Sequence, residues 1–237
     1  MTHAFDDYVA RRPEASWRLA EAALLFAADH DSESDPRECL RQLDDLADRV
    51  AALGARSPGE RVEALRHVLV EKHGLRGNRR DYFNPANSLL GQVLRTRRGL
   101  PITLSVIWLD VAGRLRWPLA PLGLPSHFMV ACRDAASGTE ILVDPFDEGT
   151  RMEREDVPGH LAQIVGSAPV LSEEDFVPPS PRAILVRMVN NLNLVYLQRG
   201  EWPRAARTIR RLQALMPGDE ALRRQAEAVG ERLVALN

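Results

Sequence analysis

Two residues in the middle of the chain have the types and spacing to do acid–base chemistry together. His127 stands in Pro125-Ser126-His127-Phe128 and Asp144 in Val143-Asp144-Pro145-Phe146. His127 opens a strand-like apolar run, Phe128-Met129-Val130-Ala131-Cys132, and Asp144 closes another, Glu140-Ile141-Leu142-Val143. Between them the stretch from Asp134 to Thr139, with Ser137-Gly138, reads as a hairpin turn. Antiparallel neighbours of this kind bring a histidine at the start of one strand beside a carboxylate at the end of the next. A carboxylate so placed fixes the imidazole tautomer and orientation. Upstream, Gly99-Leu100-Pro101 opens a helix, whose N-terminus favours a thiolate or oxyanion through its dipole and free N–H groups. Helix entrance, then His, then Asp is the order of a Cys-His-Asp hydrolase or acyltransferase. No cysteine stands at this entrance, because Cys39 and Cys132 lie elsewhere.

The elements that must position these groups read as helices first and strands second. Residues 16–30 form an Ala/Leu-rich amphipathic helix with Ser16 as N-cap. Pro36 starts a second helix through Leu53, with Leu40, Leu43, Leu46, Ala47 and Val50 on one stripe and Cys39 as a packed thiol. Glu60 to His73 is a third, closed by Gly74. Asn84-Pro85 starts a fourth, whose basic end Arg95-Thr96-Arg97-Arg98 suits a helix C-terminus. Pro101 opens a long apolar helix to about Arg114, the central helix of an α+β domain. Residues 153–166 are moderately helical and 169–181 read as a linker. The rest is helical again: Arg182 to Arg199, Pro203 to Met216 and Asp219 to Leu236.

Composition bounds the partners. The chain has 237 residues, 45% hydrophobic and 27% charged, with a net charge of −2. That charge gives no electrostatic reason for nucleic acid or an anionic membrane as partner. The two cysteines lack metal-ligand spacing, so no metal, cofactor or disulfide is expected and a reducing cytoplasm is the default. The N-terminus shows no basic-then-apolar signal pattern, and no apolar run approaches the roughly 20 residues that span a bilayer. Four tryptophans are too scattered for a sugar or base platform.

Taken jointly, Asn84-Pro85-x-Asn87-Ser88, Arg98-Gly99-x-Pro101-Ile102-x-Leu104-Ser105, Pro125-x-His127-Phe128 and Asp144-Pro145-Phe146 resemble the transglutaminase-like core of a bacterial family often labelled SirB-type. The resemblance spans nearly the whole chain. It implies a papain/transglutaminase-like core (77–168) with a helical N-terminal region (1–76), a linker (169–181) and C-terminal tetratricopeptide-like helices (182–237). In that C-terminal stretch Ala205, Ala206, Gly200, Trp202 and Pro217 fall where such a repeat places small residues, large residues and helix stops. One repeat cannot stand alone, so the unit should dock on the core.

The resemblance also places the nucleophile. Related sequences carry Gly-Thr-Cys where this chain has Gly99-Leu100-Pro101, so Pro101 occupies the lost nucleophile position and His127 and Asp144 remain as a degenerate triad. Three substitutes are open to geometry. Thr103 lies about 200° around the helix from Pro101, facing away. Ser105 lies about 40° around and one turn deeper, on the same face. Cys132, an odd offset from His127 on the same strand, faces the other way. Ser105 alone is a credible hydroxyl, unless it simply bonds back to the carbonyl of residue 101. Asn84, Asn87 and Ser126 are candidate binding groups, with helix capping and loop anchoring as the alternative for Asn84 and Asn87, as for Ser88 beside them. The expectation is a non-catalytic protein-binding or regulatory module. The alternative is a hydrolase or acyltransferase using His127 and Asp144 with Ser105.

Overall fold

The computed structural model describes residues 4–134, 138–166 and 168–235. Ten α-helices and six short strands lie among the described residues, and the order follows the hydrophobic patterning closely, with instructive departures. The N-terminal helices are α1 (Ala4–Arg11), α2 (Leu19–Ala27), α3 (Pro36–Ala51) and α4 (Pro58–Arg66). The first was not legible, since its eight residues carry only one turn or so of apolar pattern. The expected N-cap Ser16 sits instead in a short 3₁₀ turn, donating to the Pro13 carbonyl at 2.7 Å, and the helix begins three residues later. Asp35 caps α3 and Ser57 with Glu60 forms a capping box on α4. Helix α4 continues as a π-turn, His67–Lys72, before Gly74 at φ +80° stops it.

The helix expected from Asn84 is broken in two: a 3₁₀ turn, Pro85–Ser88, and α5 (Leu90–Thr96). The cause is Asn87. Its backbone carbonyl accepts from the Leu100 N–H (3.2 Å) and the Thr103 hydroxyl (2.9 Å) rather than from the next helical turn. Helix α5 ends on Arg97 in the left-handed conformation (φ +61°), within the basic run expected at its C-terminus. Two two-residue strands, β1 (Arg76–Gly77) and β2 (Arg98–Gly99), pair in parallel and lead directly into α6 (Pro101–Arg114). Gly77 must be glycine here: a Cβ would lie 2.6 Å from the Phe146 carbonyl and ring.

A four-stranded antiparallel sheet follows, in the order β3 (Leu119–Leu122), β4 (Met129–Asp134), β5 (Thr139–Asp144) and β6 (Thr150–Met152). The hairpin pairs Val130 with Val143 and Cys132 with Ile141; its turn at 135–137 lies outside the described residues. The edge strands β3 and β6 were missed, being short and without alternation, and Pro121 is tolerated because β3 is an edge. Strand alternation gives the sheet two buried faces. Val130, Cys132, Ile141 and Val143 join the large core around α6, whereas Met129, Ala131 and Leu142 pack with Val157 and Leu161 of α7 (Val157–Val165) and with Phe176.

The chain ends in α8 (Pro181–Gln198), α9 (Trp202–Leu215) and α10 (Glu220–Val234). Their apolar faces enter the same core as α1 to α6, which runs from Phe5 to Leu222. Arg211 of α9, 2% exposed, binds Asp6 at 2.6 Å and also pairs with Asp29, tying the last helices to the first. Arg182 reaches Glu14 and stacks on Trp17.

Candidate functional site

The hairpin register brings the two chemistry-bearing residues together. His127, two residues before β4, and Asp144, the last residue of β5, are 1% and 0% exposed. His127 Nε2 lies 2.8 Å from Asp144 Oδ2. A residue that sequence reasoning missed completes the cluster: His160 of α7 places its Nε2 2.7 Å from the same oxygen. The second carboxylate oxygen accepts the Phe146 N–H at 2.9 Å. Burial pushes the Asp144 carboxyl upward, but the two imidazole bonds outweigh it and hold the group down at about 2. The same bond raises the His160 imidazole above its ordinary value. His160 carried no sequence signal beyond its place in a short helix, because its partner is sixteen positions away on another element.

His127 is held from three sides. Its ring meets Phe146 edge-to-face at 5.9 Å, and Phe146 in turn meets Tyr82 at 6.0 Å and lies under the Arg79 guanidinium. Its N–H bonds to Leu124 O at 3.2 Å, after Ser126 in a left-handed conformation (φ +57°). From α8, Arg187 donates through Nη2 to the carbonyls of both Leu124 (3.0 Å) and His127 (2.7 Å), with its guanidinium over Phe128. The C-terminal helices thus contribute directly to the site. Arg187 and Asn191 stand four apart on the flank of the apolar stripe of α8, the one sequence pattern that could have drawn attention to them. His127 Nδ1 is buried and has no partner.

Pro101, at the first position of α6, is buried and lines a cavity of about 100 Å³ together with Tyr82, Ile102, Ser126, His127, Phe128, Arg187 and Asn191. A wider cleft of about 430 Å³, lined by Arg79, Tyr82, Ser126, His127, Phe146 and Ile164, shares His127, Ser126 and Tyr82 with it. The other candidate residues fall away from this point or are already engaged. Ser105 is 0% exposed and donates to Phe128 O at 3.4 Å, not to the carbonyl of residue 101. Thr103 is buried on Asn87 O, and Cys132 is buried in the core with its thiol pushed up by burial. Asn84 caps the 3₁₀ turn through the Ala86 N–H and reaches Asp81 at 2.8 Å. The Asn87 amide donates to the carbonyls of Asp81 and Tyr82 and accepts from Asn78, so both asparagines anchor the loop that carries Tyr82. Ser126 alone of the three candidate binding residues is exposed in the cleft. Among the described residues no cluster of His, Cys, Asp or Glu could hold a metal ion.

A helix entrance facing a strand-borne histidine and a buried aspartate defines the class, and sequence comparison agrees with it. Residues 37–190 match the transglutaminase-like superfamily, to which this chain belongs. Among curated relatives, a UPF0162 protein of Xylella fastidiosa is 38% identical over 69% of this chain and 59% of its own length. UPF0162 protein PA3419 of Pseudomonas aeruginosa is 31% identical over 89% of this chain and 76% of its own length. F-box only protein 21 of the mouse is 32% identical over 55% of this chain, but that segment covers only 21% of the mouse protein. The chain spans less than two thirds of the length of the two Xylella fastidiosa relatives, 59% and 65%. No solved structure matches. Among the described residues no helix is long and apolar enough to cross a membrane.

Proposed function

We propose that this protein is a non-catalytic, SirB-type member of the superfamily, a protein-binding or regulatory module that keeps the His-Asp framework without acyl transfer. The observation that carries this reading is the occupant of the α6 entrance. Pro101 lines the cavity with His127 and has neither a nucleophilic atom nor an N–H. His127 Nδ1, the ring position left over after Asp144 takes Nε2, has no thiol or hydroxyl within hydrogen-bond distance among the described residues. The rival reading, hydrolysis through Ser105, requires that hydroxyl to reach substrate, and it is fully buried on a backbone carbonyl. We read α8 to α10 as a tetratricopeptide-like unit: Gly200 at φ +68° separates α8 from α9, and buried Ala205 lets the two helices cross closely. Its docking beside the cleft makes it the natural place for regulation to reach the site.

The test is a panel of acyl esters, peptide amides and glutaminyl peptides incubated with wild type and His127→Ala. The reading expects no turnover that the substitution removes. Acyl transfer or hydrolysis abolished by His127→Ala would overturn it.

A further inference from the structure

Three side chains around the Pro101 cavity carry polar atoms without a hydrogen-bond partner among the described residues, and together they point to a ligand. Arg187 is half-buried; among the described residues its hydrogen bonds all run through Nη2 and no carboxylate lies within ion-pair distance. The Asn191 amide, one turn further along α8, lines the same cavity and makes no hydrogen bond among the described residues. His127 Nδ1 is buried and unpartnered. To these the entrance of α6 adds the positive end of a fourteen-residue helix that carries no side-chain cap. A half-buried guanidinium with no counter-ion is costly, and an anionic ligand would offset that cost.

We propose that the two adjoining cavities form one site for a carboxylate carried on an apolar body, with the carboxylate between Arg187, Asn191 and His127 and the body in the wider cleft. The smaller cavity, about 100 Å³, has room for a carboxylate and little more. The larger, about 430 Å³, is lined on its apolar side by Tyr82, Phe146 and Ile164 and falls within the range of ligand clefts. Arg79 at its rim is already paired with Asp147 at 2.6 Å, so Arg187 is the charge available to the ligand. The charged and titratable groups around the His127 ring are Asp144, His160, Arg187, Arg79 and Tyr82. The carboxylate could come from a free small molecule or from the C-terminus of a peptide. The proposal rests on the non-catalytic reading above, since the same ligand would be a product if the site turned over.

The experiment is an NMR titration of the full chain, following the side-chain resonances of Arg187 and His127. The probes are N-acetyl-phenylalanine, its amide, and an N-acetylated pentapeptide ending in Phe with a free or an amidated C-terminus. Saturable shifts with the carboxylates, at least tenfold weaker with the amides, are expected. Saturation by the pentapeptide acid at lower concentration than by N-acetyl-phenylalanine identifies a chain terminus as the source, and the reverse order a small molecule. Arg187→Lys should keep part of the binding and Asn191→Leu should weaken it several-fold; the latter leaves the carbonyl contacts of Arg187 intact and so remains informative if Arg187→Lys fails to fold. Equal binding of acids and amides, or no saturable shift, overturns the proposal and leaves the non-catalytic reading standing. His127-dependent hydrolysis of the N-acetyl-phenylalanine methyl ester overturns that reading instead, with the carboxylate titration unaffected.

Discussion

Replacing Asp144 with alanine is the perturbation whose cost follows most directly from the geometry. The substitution removes one carboxylate and strands three donors: His127 Nε2 at 2.8 Å, His160 Nε2 at 2.7 Å and the Phe146 N–H at 2.9 Å. His127 and Phe146 are almost wholly buried, so water cannot replace the lost acceptor, while His160 is 12% exposed and partly can. With each stranded buried donor costing about 1–3 kcal/mol, the expected loss is about 3–5 kcal/mol, a large share of a typical domain's stability. Asp144→Asn should cost less, because it retains one acceptor oxygen. Acid sharpens the comparison. Asp144 is held at about 2 in the fold against an ordinary 3.8, so its contribution is present above about pH 4 and disappears as pH falls toward 2. That difference corresponds to about 2 kcal/mol, and the alanine variant should lack it. Urea unfolding followed by circular dichroism at pH 7 and at pH 3 measures both effects. A loss below about 1 kcal/mol at pH 7 would refute the cluster as a buried, mutually satisfied unit.

Two further outcomes follow from the same reasoning. His160 gains a proton more readily in the fold than out of it, through Asp144 and with Asp147 adding and Arg79 opposing. Its contribution is therefore fully present below about pH 6.5 and is lost as pH rises through its elevated value; unfolding free energies of wild type and His160→Gln from urea titration should differ by about 1 kcal/mol near pH 5.5 and draw together in alkali. His30, stacked between Phe26 and Tyr196 with neither ring nitrogen bonded, is pushed down to about 4 by burial and by Arg207. The unfolded chain takes up a proton there below about pH 6.5 that the fold refuses, so stability should fall by up to about 3 kcal/mol as pH drops toward 4, and unfolding curves of His30→Phe over that range should be flatter.

How far the sequence could be read depended on whether a feature was local. Pro36 and Pro101 announce helices because a first-turn proline and its cap act within a few residues, whereas Pro58 and Pro181, which also open helices, read as turn and linker residues. The His127–Asp144 hairpin was legible because strand alternation fixes its register. The break at Leu89 was not, since it arises from Asn87 bonding Leu100 and Thr103, contacts no periodicity encodes. His160 and Arg187 escaped notice for the same reason, each meeting the site from an element far along the chain. Ser105 shared a helical face with Pro101 as geometry required, but how far the core would close over that face depended on Phe128 and the sheet behind it.

The central claim is that the entrance of α6 still faces His127 and that only the reacting atom is gone. The most direct measurement is the thiol pKa of Pro101→Cys, from the pH dependence of iodoacetamide alkylation at that residue read by peptide mass spectrometry. Losing the proline should lower stability by only about 0.4–1 kcal/mol. The account predicts a thiol pKa below about 7.5 that rises toward the ordinary ~8.5 when His127→Ala is added. A thiol titrating at or above ~8.5 and indifferent to His127 would contradict it.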